Sequence, residues 1–345
     1  MLSRVAHSLY WLTRYVDRAE NTARLIDVAL QLYLDLRPTA GARGDRWLSL
    51  VESSGEEALF RTLHAEVSGL TVTEFLVFQE ENPNSILSSL TQARENARMV
   101  RDQVSSELWE EINRLYLFIR SPQARALLRD APYELFQQVK NGALLFQGLM
   151  DATLVRNEGW LFMRVGRNLE RADKTSRLLD VRHATWPPAG VPAPESQEDL
   201  LGWAAVLRSA SAWEAYQSLY GTEVSPERVI QILMLSDDFP RSVRFCAREV
   251  NEALRSISGA PRDRFTNEAE KLAGRLVAEL TFSTVEDLCA QGLHAGIDSL
   301  QAKLNAIGEA VFGTYIDQSF RLPGDFELRQ QEEQQQQDSP VRDLP

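Results

Sequence analysis

The segment R14-Y-V-D-R-A-E-N-T-A-R-L-I-D-V28 decides how this chain is read, because R167-N-L-E-R-A-D-K-T-S-R-L-L-D-V181 repeats it 153 residues later. Over fifteen aligned positions eight are identical, among them Arg14/Arg167, Arg18/Arg171, Ala19/Ala172, Thr22/Thr175 and Arg24/Arg177. Asp17/Glu170 and Glu20/Asp173 conserve charge. Ordinary composition gives about one identity by chance over such a window. The match therefore points to internal duplication. Two shorter echoes follow, PNSI (83–86) with PRSV (240–243) and ARE (93–95) with ARE (247–249). Their offsets differ by three residues, so they carry less weight than the first.

Both long copies read as helix. Leu12, Val16, Ala19, Ala23, Ile26 and Leu30 recur in steps of three and four, the spacing of one helical face. A second stripe starts with Arg14, Asp17, Arg18 and Asn21 and continues into Leu25, Val28 and Leu32. A helix apolar on two sides is expected between neighbours. Glu20, Asp27 and Arg24 form a separate edge, read most simply as solvent-facing. The second copy carries Arg167, Glu170 and Arg171, with Lys174 in place of Asn21.

The same periodicity extends outward from these segments. A helix is expected to start near Pro132, and another to run from Leu90 to Ile119. The only strand-like run is TVTEFLVF (71–78). The fold class is read as all-α, a helical bundle of two duplicated halves near 1–150 and 151–320. RPTAGARGDR (37–46) reads as loop and EENPNS (80–85) as a turn into a helix. The proline-rich 184–198 is the best internal boundary. The glutamine-rich tail, 321–345, is expected to be disordered, since it has little apolar surface to offset its ordering entropy.

Composition narrows the function. The 345 residues carry a formal charge of -12, which weighs against a general nucleic-acid binder. No run is long enough for a membrane span, and the N-terminal residues lack the apolar core of a signal peptide. Cys246 and Cys289 form no C-x-x-C pair and are read as core residues in a cytoplasmic protein. His7, His64, His183 and His294 lack metal-ligand spacing, so no metal and no cofactor are expected. Phosphate-loop, dinucleotide-binding and nucleophile-elbow signatures are missing.

What remains is the charge cluster. Buried charge must be paired. One reading is an Arg–carboxylate–Arg ladder at i, i+3 and i+4 that ties helices together. The other is a pocket: if the halves pack about a pseudo-twofold axis the clusters meet, and surplus guanidinium suits a phosphate or carboxylate. The candidate ligand-binding residues are Arg14, Arg18, Asn21, Arg167, Arg171 and Lys174, with Arg94 and Arg98 as additions from a second helix. Glu170 and Asp17 are the candidate catalytic carboxylates.

These blocks, together with GWLFMRVGRNLERADKTSRLLDV (159–181) and ENPNSI (81–86), resemble the bacterial alpha-E family over about residues 1–315. The resemblance implies an all-helical protein without an established reaction. It also implies an encoded or fused partner, a circularly permuted ATP-grasp protein, often with a transglutaminase-like peptidase. That company suggests a pathway making or modifying a peptide by ATP-dependent amide formation. The family's Arg-x-x-Glu-Arg-Ala-Glu element falls on Arg14, Asp17, Arg18, Ala19 and Glu20, and on Arg167, Glu170, Arg171, Ala172 and Asp173. Thr13 stands where glycine is usual and Asp17 where glutamate is usual; Gly166 and Glu170 keep the usual types. The leading expectation is an accessory subunit of such a ligase, its clusters holding an anionic group. The alternatives are an enzyme using Glu170 as acid or base, and a pure scaffold.

Overall fold

The computed structural model describes residues 1–36, 40–180, 197–261 and 264–317, and among them there is no strand. Eight helices come first: α1 (Ser3–Leu36), α2 (Ala40–Ser54), α3 (Glu57–Leu63), α4 (Gly69–Val77), α5 (Ile86–Met99), α6 (Ser106–Ile119), α7 (Pro122–Asp130) and α8 (Pro132–Thr153). Then follow α9 (Glu158–Asp180), α10 (Gln197–Ser209), α11 (Trp213–Tyr220), α12 (Pro226–Leu235), α13 (Val243–Ser258), α14 (Glu268–Phe282), α15 (Val285–Leu288) and α16 (Leu293–Val311). A π-helical turn, Phe312–Ile316, ends the described chain.

Local chemistry sets many of the helix ends. Ser85, Ser105, Ser121 and Ser242 each accept a backbone N–H three residues on, which satisfies a donor the helix leaves orphaned. Pro132 opens α8, as its spacing predicts. Three expectations change. The run 71–78 is not strand-like: 71–77 lie in α4, whose start is fixed by a reciprocal Ser68–Thr71 capping box, and Val72, Phe75, Leu76 and Val77 are buried. Of 71–78 only Thr71 and Glu74 are partly exposed, too few positions to show a helical period. The single helix expected over 90–119 is two, because a turn at 100–104 precedes the Ser105 cap. Of the loop expected at 37–46, residues 40–46 belong to α2; Ala40, Ala42 and Arg43 are strong helix formers that outweigh Gly41 and Gly44. The tail (321–345), the boundary loop from 184 to 196 and residues 37–39 lie outside the described residues.

One packing order occurs twice. α1 packs on α5 and α8, α5 on α6, and α6 on α8; α9 packs on α13 and α16, α13 on α14, and α14 on α16. The Ser85 and Ser242 caps keep the 157-residue step of PNSI and PRSV, so the ARE echo, at 154, is three residues out of step with it. Two apolar cores result. One gathers α1 through α8 and the start of α9; the other gathers α9 through α16 and takes Tyr10 from α1. Tyr10 thus crosses into the second core, and Trp160 and Met163 cross into the first.

Among the described residues, α1 and α9 make the most extensive helix contact. Their crossing is close because Gly166 has no side chain: a Cβ there would lie 2.2 Å from the Tyr10 carbonyl oxygen and 2.7 Å from Thr13 Oγ1. Thr13, the residue level with Gly166 in the repeat, is buried and donates its hydroxyl to the Met163 carbonyl at 2.8 Å. Gly166→Ala should therefore cost about 1–3 kcal/mol, the range for overpacking a tight contact, read by urea denaturation. Gly148→Ala, on an open face of α8 where a Cβ meets nothing within 4 Å, should raise stability by about 1 kcal/mol in the same assay.

Candidate functional site

Three- and four-residue spacing places Arg14, Asp17, Arg18 and Asn21 along one line of α1, and Arg167, Glu170, Arg171 and Lys174 along one line of α9. The two lines meet at the crossing. Glu170 is fully buried and receives Arg14 Nε at 2.8 Å, Arg18 Nε at 2.6 Å and Arg18 Nη2 at 2.9 Å. In return, Arg171 Nη2 donates to Asp17 Oδ1 at 2.7 Å. Each copy's carboxylate is held by an arginine of the other copy. The pairs run between helices, which corrects the ladder expected within each helix. The cause is burial: a carboxylate on the inner face meets the opposite helix before it meets its own next turn.

The exchange is unequal. Arg167, level with Arg14 in the repeat, turns to Asp151 at 3.3 Å, and its Nε is buried without a partner. Asp17 instead accepts from Asn21 Nδ2 at 2.9 Å and from Gln147 Nε2 at 3.2 Å.

The edge read as solvent-facing is buried. Glu20 is fully covered and accepts from Arg24 (2.7 Å), Arg241 (2.6 Å) and Gln147 (3.0 Å). Asp27 is buried against Lys140 at 2.6 Å. A wheel drawn from one helix cannot show partners contributed by α8 and by the turn before α13. On α9, Asp173 pairs with Arg177 at 3.0 Å and lies 3.6 Å from Lys174 Nζ.

These contacts set the proton states. Burial opposes ionisation of Glu170, yet Arg18, Arg14 and Lys174 outweigh it and hold the carboxyl far below its usual range. Burial likewise opposes ionisation of Glu20, and Arg241, Arg24 and Arg171 bring it down to about 2. Lys174 moves the other way, burial lowering its pKa against the pull of Asp173 and Glu170. Burial pushes the Cys246 thiol up to about 12 and the Cys289 thiol up to about 11, and both cysteines are free and buried, as core residues are.

The remaining candidates lie apart. Arg94 is held by Asn113 at 2.9 Å and by Glu95 at 2.6 Å, and sits over the Tyr116 ring. Arg98 pairs with Glu95. Neither contacts the α1–α9 cluster. His7 packs against the Trp11 and Phe312 rings. Asp180, His294 and Asp298 bring one ligand atom each within 4.8 Å of one another; spacing along the chain hides this, since Asp180 comes from α9 and the other two from α16.

A family model described as a predicted alpha-helical domain with a conserved ER motif matches residues 1–316. The chain belongs to the alpha-E family. Glu170–Arg171 spells that pair in the second copy, and Asp17–Arg18 stands in its place in the first. Among curated proteins, this alpha-E chain is similar to the uncharacterized proteins Mb2597 of Mycobacterium bovis (23% identical over 343 residues) and Rv2567 of Mycobacterium tuberculosis (22% identical over 343 residues). Each match takes in 93% of this chain and 37% of the relative, so the chain spans little more than a third of the proteins it matches. No solved structure matches it. No described helix is long and apolar enough to cross a membrane.

Sequence reasoning missed Glu20, Gln147, Asn84 and Arg241 as members of the cluster. Arg18 Nη1 donates to Asn84 Oδ1 at 2.7 Å, and Arg241 Nη1 to Asn21 Oδ1 at 3.0 Å. Asn84 and Arg241 are the second residues of PNSI and PRSV. The echo that carried less weight was the signal that could have found them.

Glu170→Gln should cost about 3–5 kcal/mol, because it leaves two largely covered guanidinium groups without their counter-charge; thermal melting checks this. The acid side has a defined sign. A carboxylate whose pKa folding lowers stabilises the fold above its unfolded value and loses that contribution as pH falls through its folded value. For Glu20 the window runs from 4.5 down to about 2. Unfolding free energy should fall across it, and Glu20→Gln should flatten the slope there.

Proposed function

We propose that this chain is a helical partner subunit of an ATP-grasp amide-ligase system, and that it works by holding an anionic group of the substrate or of the partner. The observation that carries the proposal is the imbalance at the α1–α9 junction. Seven cationic side chains, Arg14, Arg18, Arg24, Arg171, Lys174, Arg177 and Arg241, contact four carboxylates, Asp17, Glu20, Glu170 and Asp173. The four carboxylates, Arg171 and Arg241 are buried and the other five cations are half-buried. Such a surplus of half-buried positive charge, in a chain of net charge -12, suits a bound anion that completes it.

Proton-transfer catalysis is the weaker reading. Glu170 is fully covered, accepts three hydrogen bonds from arginine and stays ionised near neutrality. A general acid or base needs a pKa near the working pH and a path to substrate. The carboxylates serve the helix junction, and the surplus cations are left for a ligand. Two further points favour the partner role. Alpha-E proteins resemble this chain in company with a circularly permuted ATP-grasp protein and often a transglutaminase-like peptidase. More than half of each mycobacterial relative lies outside the match, as a fused partner would require. The doubled packing order supports duplicated halves as the origin of the junction.

The test is reconstitution. The chain and the ATP-grasp protein encoded with it should co-purify at near-equal amounts, and amide formation should require both. Full product from the ligase alone would overturn the proposal.

A further inference from the structure

Beside the paired charges, the α1–α9 junction opens into a narrow cleft. Asn21, Thr22 and Leu25 of α1 line it together with Lys174, Thr175 and Leu178 of α9, positions that the 153-residue offset matches one for one. Asn84 and Arg241 also line it, one from each half. Its free volume is about 40 Å³, room for about three waters or one small oxyanion.

The cations in this cleft are not all used. Lys174 Nζ lies 3.6 Å from Asp173 and 3.9 Å from Glu170, beyond hydrogen-bond reach of both. Among the described residues it donates no hydrogen bond, although its side chain is only 16% exposed. An ammonium has three donors to satisfy. Arg177 spends its Nε on Asp173, and no described residue takes its two terminal nitrogens. Arg14, Arg18 and Arg171 hold Glu170 and Asp17, with Arg171 Nε left without a partner.

We propose that the cleft is the binding site for the terminal oxyanion of a ligand, a carboxylate or a phosphate, gripped by Lys174 and Arg177. Leu25 and Leu178 beside the cations suit a group carried on an apolar stem. The inference rests on the anion-binding part of the proposed function and is independent of the ligase partnership. It also moves the site away from the arginines of the ER-type element, which form its structural wall.

The experiment is titration calorimetry on the full chain, with inorganic phosphate and acetate as probes. Saturable binding of either by the wild type, weakened about tenfold or more in K174M and retained in K174R, supports the site. R177Q should weaken binding as well, and gives the same reading if K174M does not fold. R98A, remote from the cleft, should bind like the wild type. Preference for phosphate assigns a phosphorylated ligand, and preference for acetate assigns a carboxylate. Wild-type protein that binds neither probe, or K174M that binds as tightly as wild type, overturns the inference. Co-purification with the ligase would be untouched by either result, so the two proposals fail separately.

Discussion

The structure turns on one carboxylate. Glu170 lies fully buried between Arg14 and Arg18, and the low-dielectric junction tolerates it only while both guanidinium groups stay in place. That demand fixes the register of α1 against α9. A slide of one helical turn would carry Arg14, Arg18 and Asp17 away from Glu170 and Arg171 together, leaving buried charges of both signs unpaired. Apolar packing alone tolerates such slips far better, because it is not directional. Gly166 supplies the complementary steric condition, since only a bare backbone allows the Tyr10 carbonyl so near. Charge sets the register and the missing side chain sets the distance. The helices of the two cores are then hung on this pair, with α5 and α8 on α1 and with α13 and α16 on α9.

Much of this was legible in the sequence, and the boundary of what was legible has a physical form. The three-and-four spacing from Leu12 to Leu30 and the start at Pro132 describe single helices, and a single helix is what periodicity reports. The repeat at 14–28 and 167–181 pointed to the two helices that cross. Partners contributed by distant segments lie beyond that reach, apart from Asn84 and Arg241, which the PNSI and PRSV echo marks. Glu20 belongs to Arg241, 221 residues away, and Asp27 to Lys140, 113 residues away. Each looked like a solvent charge because a wheel has no knowledge of a neighbour. The ladder was drawn within helices for the same reason. The break between α5 and α6 was lost because the polar turn at 100–104 continues the composition of the helices around it, and only the Ser105 cap marks the restart.

The two copies are alike where they build the junction and unlike where it opens. Arg18 and Arg171 hold Glu170 and Asp17 in crossed pairs. Asn21 stands level with Lys174, and Asn84 with Arg241. Each of those positions places a neutral amide on one side and a cation on the other. Asp17, shorter than Glu170 by a methylene, takes one arginine where Glu170 takes two, and Arg167 is left to Asp151. The result is a junction whose pairing is nearly symmetric and whose charge is not.

That asymmetry separates two tasks that the sequence presents as one cluster. A carboxylate that must lock a helix crossing has to remain ionised and covered, and such a group is unsuited to exchanging protons or meeting a ligand. A cation that must meet a ligand has to remain short of partners, and its desolvation then costs stability. The first condition describes Glu170 and Glu20. The second describes Lys174, which lies within 4 Å of two acids yet hydrogen-bonds neither. The crossed pairs hold in place an under-partnered ammonium one turn further along α9. On this reading, the charged face repeated in both copies is the support, and the binding capacity lies where the copies differ.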